Sequence, residues 1–309
     1  MKNWQVMAWL GLVLASGLLI MAGETDEDVD LGSVMEVWSD VVRDVDEFGL
    51  QLTRVSAEEE MRIGREMVAG WWSPDEEHAA WQAYVDQVGS LLTPYVYRHD
   101  MSYEFHVIES GEVNAFALPG GQIGITTGLL EAMDSEAELA AVLGHEIAHV
   151  DARHCIENYQ YEIAMEKAGI GQLGSNVDFL RRFASMGYSK YQEHEADAQG
   201  VRISIQAGYD PLAVLDLMDR VLNELSPPER PSAEQPIDEV LGAVLGALQD
   251  YSRSHPYTAD RIKRLRRLAE DQWRHMGQSE LYIGRANIQR RQAKSALFLT
   301  SELTTLQSR

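Results

Sequence analysis

A single cysteine in 309 residues excludes an intrachain disulfide. The fold therefore does without disulfide staples, whatever the redox state of its compartment. That residue, Cys155, lies beside His154 and reads as a small residue packed on a helix rather than a ligand or nucleophile. Positive charge is also scarce: 26 Lys and Arg stand against 49 Asp and Glu, a net charge of −23. Such a surface repels phosphate backbones and argues against nucleic acid as a partner. It suits a self-repelling soluble chain or an adaptation to salt, and composition does not separate the two. No internal repeat is present, and the C-terminal region has no tetratricopeptide period. Long apolar runs are nearly absent. The uncharged stretch 6–23 follows Lys2 and precedes Glu24, Asp26, Glu27, Asp28 and Asp30. A cation, then an apolar run, is the pattern of a signal peptide or signal anchor. The run lies at the lower length limit for spanning a bilayer. It has no clear small-x-small cleavage site and no cysteine for a lipid anchor. The expectation is an exported chain, periplasmic or anchored to the outer face of the inner membrane, with membrane association through residues 6–23.

What the chain does contain is enough apolar sequence for a sizeable core, 45% of residues. Residues 24–55 form an acidic arm. A helix is expected from Ser56, where Ser56 and Glu59 spell a capping box. A second is expected over 76–92, with Trp81, Tyr84, Val85 and Val88 on one face and Pro94 beyond its end. In MSYEFHVIES, Tyr103, Phe105 and Val107 alternate with Glu104 and His106, a strand period. NAFALPGGQIGITTG continues in short apolar runs around Gly120 and Gly121. A sheet of about three strands with a Gly-Gly turn follows, His106 being surface-facing or packed. DSEAELAAVLGHEIAHVDARH is a helix with Ser135 and Glu138 as its capping box. Another helix runs over about 189–207 and ends at Gly208. Four of the nine prolines fall in 226–236, a loop. The helix after SRSHPYTAD is dense in Arg and Lys and reads as a solvated basic face, with contact to anionic lipid as the alternative.

HEIAH, residues 145–149, carries the chemistry. Residues four apart on a helix lie on one face, so His145 and His149 can aim both imidazoles at one point. Neutral imidazole is a good zinc ligand, and Glu146 beside the pair can take a proton from a water. A catalytic zinc needs a third protein ligand. His154 is nine residues past His145 and faces away if the helix persists; it is expected to bond a backbone or carboxylate group nearby. In YQEHEADAQG, Glu193 and Asp197 share a helix face. One of them can bind the metal and the other can accept the outer N–H of a ligating histidine.

Four blocks in order, VNAFALPGGQIGITTGLL, ELAAVLGHEIAHVDARH, YSKYQEHEADAQG and SHPYTADRI, resemble the M48 family of zinc metallopeptidases over residues 56–269. The resemblance implies an α+β, mainly helical gluzincin-type domain with a small β-sheet beside the HExxH helix. It implies one Zn2+ held by His145, His149 and Glu193, with Glu195 as the fallback third ligand. Glu146 is then the general base and Asp197 the partner of a ligand histidine. His255 of SHP either stabilises the oxyanion or occupies the open metal position and silences the enzyme. Residues 114–118 resemble the family's edge strand, along which extended substrate pairs. The chain lacks the repeats of some members and the multiple membrane spans of others, so it is similar to the exported, soluble or singly anchored branch.

The expected organisation is a signal peptide or anchor over 1–23, the acidic arm over 24–55, a peptidase domain over 56–275 and a C-terminal tail over 276–309. Residues 226–249 are read as a lid. The expected function is zinc-dependent endopeptidase action on unfolded or misassembled envelope proteins, with polypeptides as partners. The rival is an envelope chaperone or assembly factor with a largely closed zinc site. A purely structural zinc fits less well, because a carboxylate ligand beside Glu146 suits an open site.

Overall fold

Ser56 starts the first helix as its side chain predicts: its Oγ accepts the Glu59 N–H at 3.2 Å. This helix, α1 (Ala57–Ala69), buries Glu60, Ile63, Gly64 and Val68, one face of a helical period. The computed structural model describes residues 55–69, 78–167, 187–225, 255 and 259–309. The expected leader or anchor at 6–23, the acidic arm up to residue 54 and the lid at 226–249 lie outside the described residues. Among the described residues, no helix is long and apolar enough to cross a membrane.

Helix α2 (Ala79–Leu92) buries Trp81, Tyr84, Val85 and Val88 as its period requires, and a 3-10 turn containing Pro94 ends it. Three strands follow: β1 (Glu104–Ile108), β2 (Ala115–Leu118) and β3 (Gln122–Thr126). The order is β1-β3-β2, with β1 parallel and β2 antiparallel to β3. Gly120 and Gly121, at φ of 76° and 81°, turn the chain from β2 into β3. His106 proves packed: it is buried and its Nε2 lies 2.7 Å from Gln122 Oε1. The alternation of β1 thus does not mark a solvent face.

After the short helix α3 (Thr127–Ala132) comes α4 (Glu136–Asp151), which carries HEIAH and is buried along its whole length. Ser135 caps it, accepting the Glu138 N–H at 3.3 Å. The reciprocal half of the box is replaced, since the Glu138 carboxylate takes the Asp134 N–H and Arg220. A helix buried all round needs partners on every side. Strand β2 and α2 cover α4 on one side, and α5 (His154–Lys167), α6 (Lys190–Gln206) and α7 (Ala213–Leu225) on others, α6 most extensively. A second core cluster joins α6 and α7 to α8 (Ala259–Met276) through Ile205, Leu215, Met218, Leu265 and Trp273. The molecule is mainly helical with a small sheet, as the sequence implies.

Residues 276–309 differ from the expected tail. β4 (Leu281–Tyr282) pairs with β5 (Leu303–Thr304), with α9 (Arg285–Arg290) between them in sequence, and Tyr282, Ile288 and Ala293 enter the main core. This segment satisfies donors that the start of α4 leaves open. The Glu136 and Ala137 N–H groups donate to the carbonyls of Gly284 and Ile283 at 3.1 and 2.9 Å. In return Glu136 Oε1 accepts the Lys294 backbone N–H at 2.8 Å and the Tyr209 hydroxyl at 2.7 Å.

Burial pushes the Lys294 ammonium down to about 8, with Glu136 only partly opposing. Tyr209 and Tyr282 also face it, and burial raises both phenols. The folded pKa of Lys294 lies below its unfolded value, so between them the unfolded chain binds more protons and stability rises with pH. The expected result is that, from pH 8 to 10, the change in unfolding free energy is more favourable in the parent than in Lys294→Met. Parallel denaturant titrations at the two pH values check it, and equal slopes with pH would refute it.

Candidate metal centre

Helix α4 places His145 and His149 one turn apart, with their Nε2 atoms 3.1 Å from each other. Helix α6 brings Glu193 to them. Its Oε2 is 3.5 Å from His145 Nε2 and its Oε1 3.5 Å from His149 Nε2. Ser189 and Gln192 form a full reciprocal capping box at the start of α6, which sets Glu193 in the first turn. His255 completes the group, its Nδ1 2.8 Å from Glu193 Oε1 and 3.2 Å from His145 Nε2. One donor atom from each of the four residues lies within 4.8 Å of all the others, and all four residues are buried.

This donor set fits a metal. Four ligands at zinc-like bond lengths around a tetrahedron lie about 3.3 Å apart. The observed separations of 3.1 and 3.5 Å bracket that value. The local field also calls for a cation. Burial opposes charge on His145, yet Asp197 and Glu193 outweigh it and hold its pKa up at about 10. Burial drives His149 well below the ordinary histidine range. Two imidazole nitrogens facing each other beside a carboxylate are satisfied by a shared proton or by a metal, and imidazole with carboxylate is a zinc-type set.

Glu146 is fully buried and burial raises its pKa. Neither of its carboxylate oxygens has a hydrogen-bond partner among the described residues, though Oε1 lies 3.4 Å from His255 Nε2. A buried carboxyl group left in that state is costly and calls for an explanation beyond the fold.

The close approach of α4 and α6 depends on two glycines. A Cβ on Gly144 would lie 3.2 Å from the Gly200 carbonyl oxygen, and one on Gly200 would lie 2.9 Å from the His145 backbone nitrogen. Backbone cannot yield as a side-chain tip can. Gly200→Ala is therefore expected to push Glu193 away from the histidines and to destabilise the fold by about 1–3 kcal/mol. Metal titration and thermal melts check it; parent-like metal affinity would show that the helices need no such contact.

A second layer holds the ligand rings. Asp197 Oδ1 is 3.3 Å from His145 Nδ1, and Arg261 grips both Asp197 oxygens at 2.7 and 3.0 Å. Tyr188 stacks on the His149 ring, with centroids 3.7 Å apart. His154 departs from the expectation that it faces away. The helix does not persist, because Arg153 at φ of 68° ends it and α5 starts at His154. His154 Nδ1 then lies 3.0 Å from His149 Nδ1, and its Nε2 lies 3.4 Å from Glu195 Oε2. Glu195, the fallback ligand, supports His154 at the rim and is not in the donor set. Cys155 is buried 3.4 Å from the Tyr188 hydroxyl, and burial raises its thiol pKa, which leaves it no thiolate to attack with.

Tyr188 and Arg261 were not legible as site residues. Arg261 belongs to the basic helix read as a solvated face, yet it is buried. Its spacing of four from Leu265 and eight from Ala269 puts an arginine on the apolar stripe, and that was the available signal. Strand β2 lies at one edge of its sheet, with α4 packed beside it.

The chain is similar in sequence to several named proteases. The mitochondrial metalloendopeptidase OMA1 of Schizosaccharomyces pombe is 30% identical over 189 residues, 59% of this chain and 51% of that protein. Its namesake in Arabidopsis thaliana is 31% identical over 172 residues, 53% of this chain and 31% of that protein. The beta-barrel assembly-enhancing protease of Escherichia coli is 26% identical over 166 residues, 48% of this chain and 34% of that protein. The chain therefore spans about a third to a half of the length of these relatives. Residues 79–269, more than half of the chain, match the model of peptidase family M48, and the chain belongs to that family.

Proposed function

We propose that the chain is a zinc-dependent endopeptidase that cleaves unfolded or misassembled proteins of the cell envelope. The observation that carries this reading is the fully buried Glu146, without a hydrogen bond among the described residues, beside three converged ligands. His145, His149 and Glu193 would hold the metal. Zinc bound there supplies a Lewis acid for a peptide carbonyl and makes water a better acid. Glu146 accepts the proton that water loses on attack and delivers it to the leaving amine nitrogen. Asp197 and His154 keep the outer nitrogens of the two ligand rings occupied, which fixes ring orientation. Strand β2 is the edge on which an extended polypeptide would pair. The envelope setting rests on the charge pattern around residues 6–23 and on the beta-barrel assembly in the name of the Escherichia coli relative, and membrane attachment would run through that stretch.

One observation favours the second reading, a chaperone-like factor with a closed site. His255 Nδ1 sits inside the donor set, where a fourth ligand would exclude water. A single experiment separates the readings: zinc content and casein cleavage of the full chain and of His255→Ala, with and without a chelator. One equivalent of zinc and chelator-sensitive cleavage by the parent support the endopeptidase. Cleavage only after His255→Ala supports the closed site. A folded parent without zinc refutes both.

A further inference from the structure

The two helices that carry the metal donors pack against each other and come closest at Gly144 and Gly200. The donors lie on one side of this crossing, His145 and His149 toward the end of α4 and Glu193 in the first turn of α6. On the other side lie the start of α4 and the end of α6, and there one short stretch of chain bonds to both. The Tyr282 N–H donates to the Gly208 carbonyl at 2.9 Å, and the Tyr282 carbonyl accepts the Asp210 N–H at 3.0 Å. The next two residues, Ile283 and Gly284, give their carbonyls to the Ala137 and Glu136 N–H groups. Lys294 also spans the gap: its backbone N–H donates to Glu136 on α4, and its ammonium donates to the Ala207 carbonyl at the end of α6. The Tyr209 hydroxyl, just past α6, donates to Glu136 Oε1 at 2.7 Å. Glu136, Tyr209 and Tyr282 are buried, so water does not compete for these bonds.

Along α4, Glu136 is about 12 Å from the crossing and His149 about 8 Å; along α6, Ala207 and Glu193 are each about 10 Å from it. The arms are similar in length, so a change in crossing angle displaces both ends by comparable amounts. On the donor side Gln199 donates to Asp151. That bond and the glycine contact are two points of attachment, which leave two rods free to rock about the line through them. A third attachment at the far end removes that freedom. We infer that residues 282–284, with Lys294 and Tyr209, are a clamp that sets the crossing angle of the two ligand helices and, through it, the reach of Glu193 to His145 and His149. The inference rests on the metal-site reading above, and the clamp residues are positioning residues far from the metal.

The test measures zinc affinity of the full chain by competition with a chelator, beside denaturant unfolding of the metal-free proteins. Lys294→Met removes the ammonium bond to Ala207, and Tyr209→Phe removes the hydroxyl bond to Glu136. Gln82→Met is the control. It loses the bonds from Gln82 to the backbone of Phe105 and Val107, which join α2 to β1 and involve neither ligand helix. Lost stability alone leaves zinc affinity unchanged while the metal-free chain remains folded, because the binding-competent fraction stays near one. The double variant Lys294→Met/Tyr209→Phe is therefore expected to bind zinc roughly 3- to 30-fold more weakly than the parent. Gln82→Met should lose stability and keep the parent's affinity. If the double variant does not fold, Tyr209→Phe alone decides, since it keeps the buried ring. Parent-like affinity in the folded clamp variants, or an equal fall in Gln82→Met, would overturn the inference. A folded parent that binds no zinc would instead refute the metal-site reading.

Discussion

Glu146→Gln is expected to lower the rate of peptide cleavage by about 10²- to 10⁴-fold while leaving bound zinc at the parent level. The carboxamide keeps the size of the side chain and loses its proton affinity. Glu146 is not one of the four converged donors, so the metal has no reason to leave. A second consequence has the opposite sign. In the parent, folding places a carboxyl group in a fully buried position without hydrogen bonds among the described residues. Removing its charge relieves that cost, and the variant should be more stable by on the order of 1 kcal/mol. A dead enzyme that melts higher and keeps its metal would be hard to attribute to misfolding. Cleavage rates, metal content and thermal melts together check this, and residual activity within threefold or so of the parent would remove Glu146 from its role as the base.

The largest expected effect on stability lies outside the metal centre. Glu60 is fully buried on α1 and meets Arg98 at 2.7 Å and Arg153 at 3.5 Å. Glu60→Ala would remove the buried carboxylate that the Arg98 and Arg153 guanidinium groups share. Breaking a buried pair in this way costs about 3–5 kcal/mol, a fall in melting temperature of roughly 10 °C for a domain of this size. The pair itself is worth less than that figure, because both ions are desolvated on folding. Replacing Glu60 and Arg98 together by apolar residues should therefore recover much of the loss. Denaturant unfolding of the single and double variants measures it. Equal losses in the two would mean that the packing of α1, not the charge, is what matters.

How much of this was legible in the sequence depended on whether a feature is local. The ligand helix was, because the spacing of His145 and His149 is a property of any helix and Ser135 supplies its start. The face shared by Glu193 and Asp197 followed from the same period, and so did the buried stripe of α2. The Gly-Gly turn was legible because only glycine is at ease with two successive positive φ values. For His154 the carboxylate contact was legible and is found at Glu195, but its approach to His149 was not, because one left-handed residue, Arg153, cancels a rotation reckoned for an unbroken helix. Arg261 was missed because composition spoke louder than position: six Lys and Arg in one helix suggest solvent, and a single one of them sits on the buried stripe. The close crossing of α4 and α6 at Gly144 and Gly200, and the packing of residues 281–309, are tertiary facts with no local signature.

That last packing has a consequence for the timing of synthesis. The first turn of α4 receives its backbone acceptors from residues 283 and 284, and Glu136 its donor from Lys294. A ribosome adds about 5–20 residues per second, so these partners arrive on the order of ten seconds after the helix has been translated. Until then the start of the HEIAH helix lacks its acceptors, and a chain stalled before residue 283 cannot seat it. Completion of the central helix of the metal centre is thereby deferred until partners made more than a hundred residues later are in place.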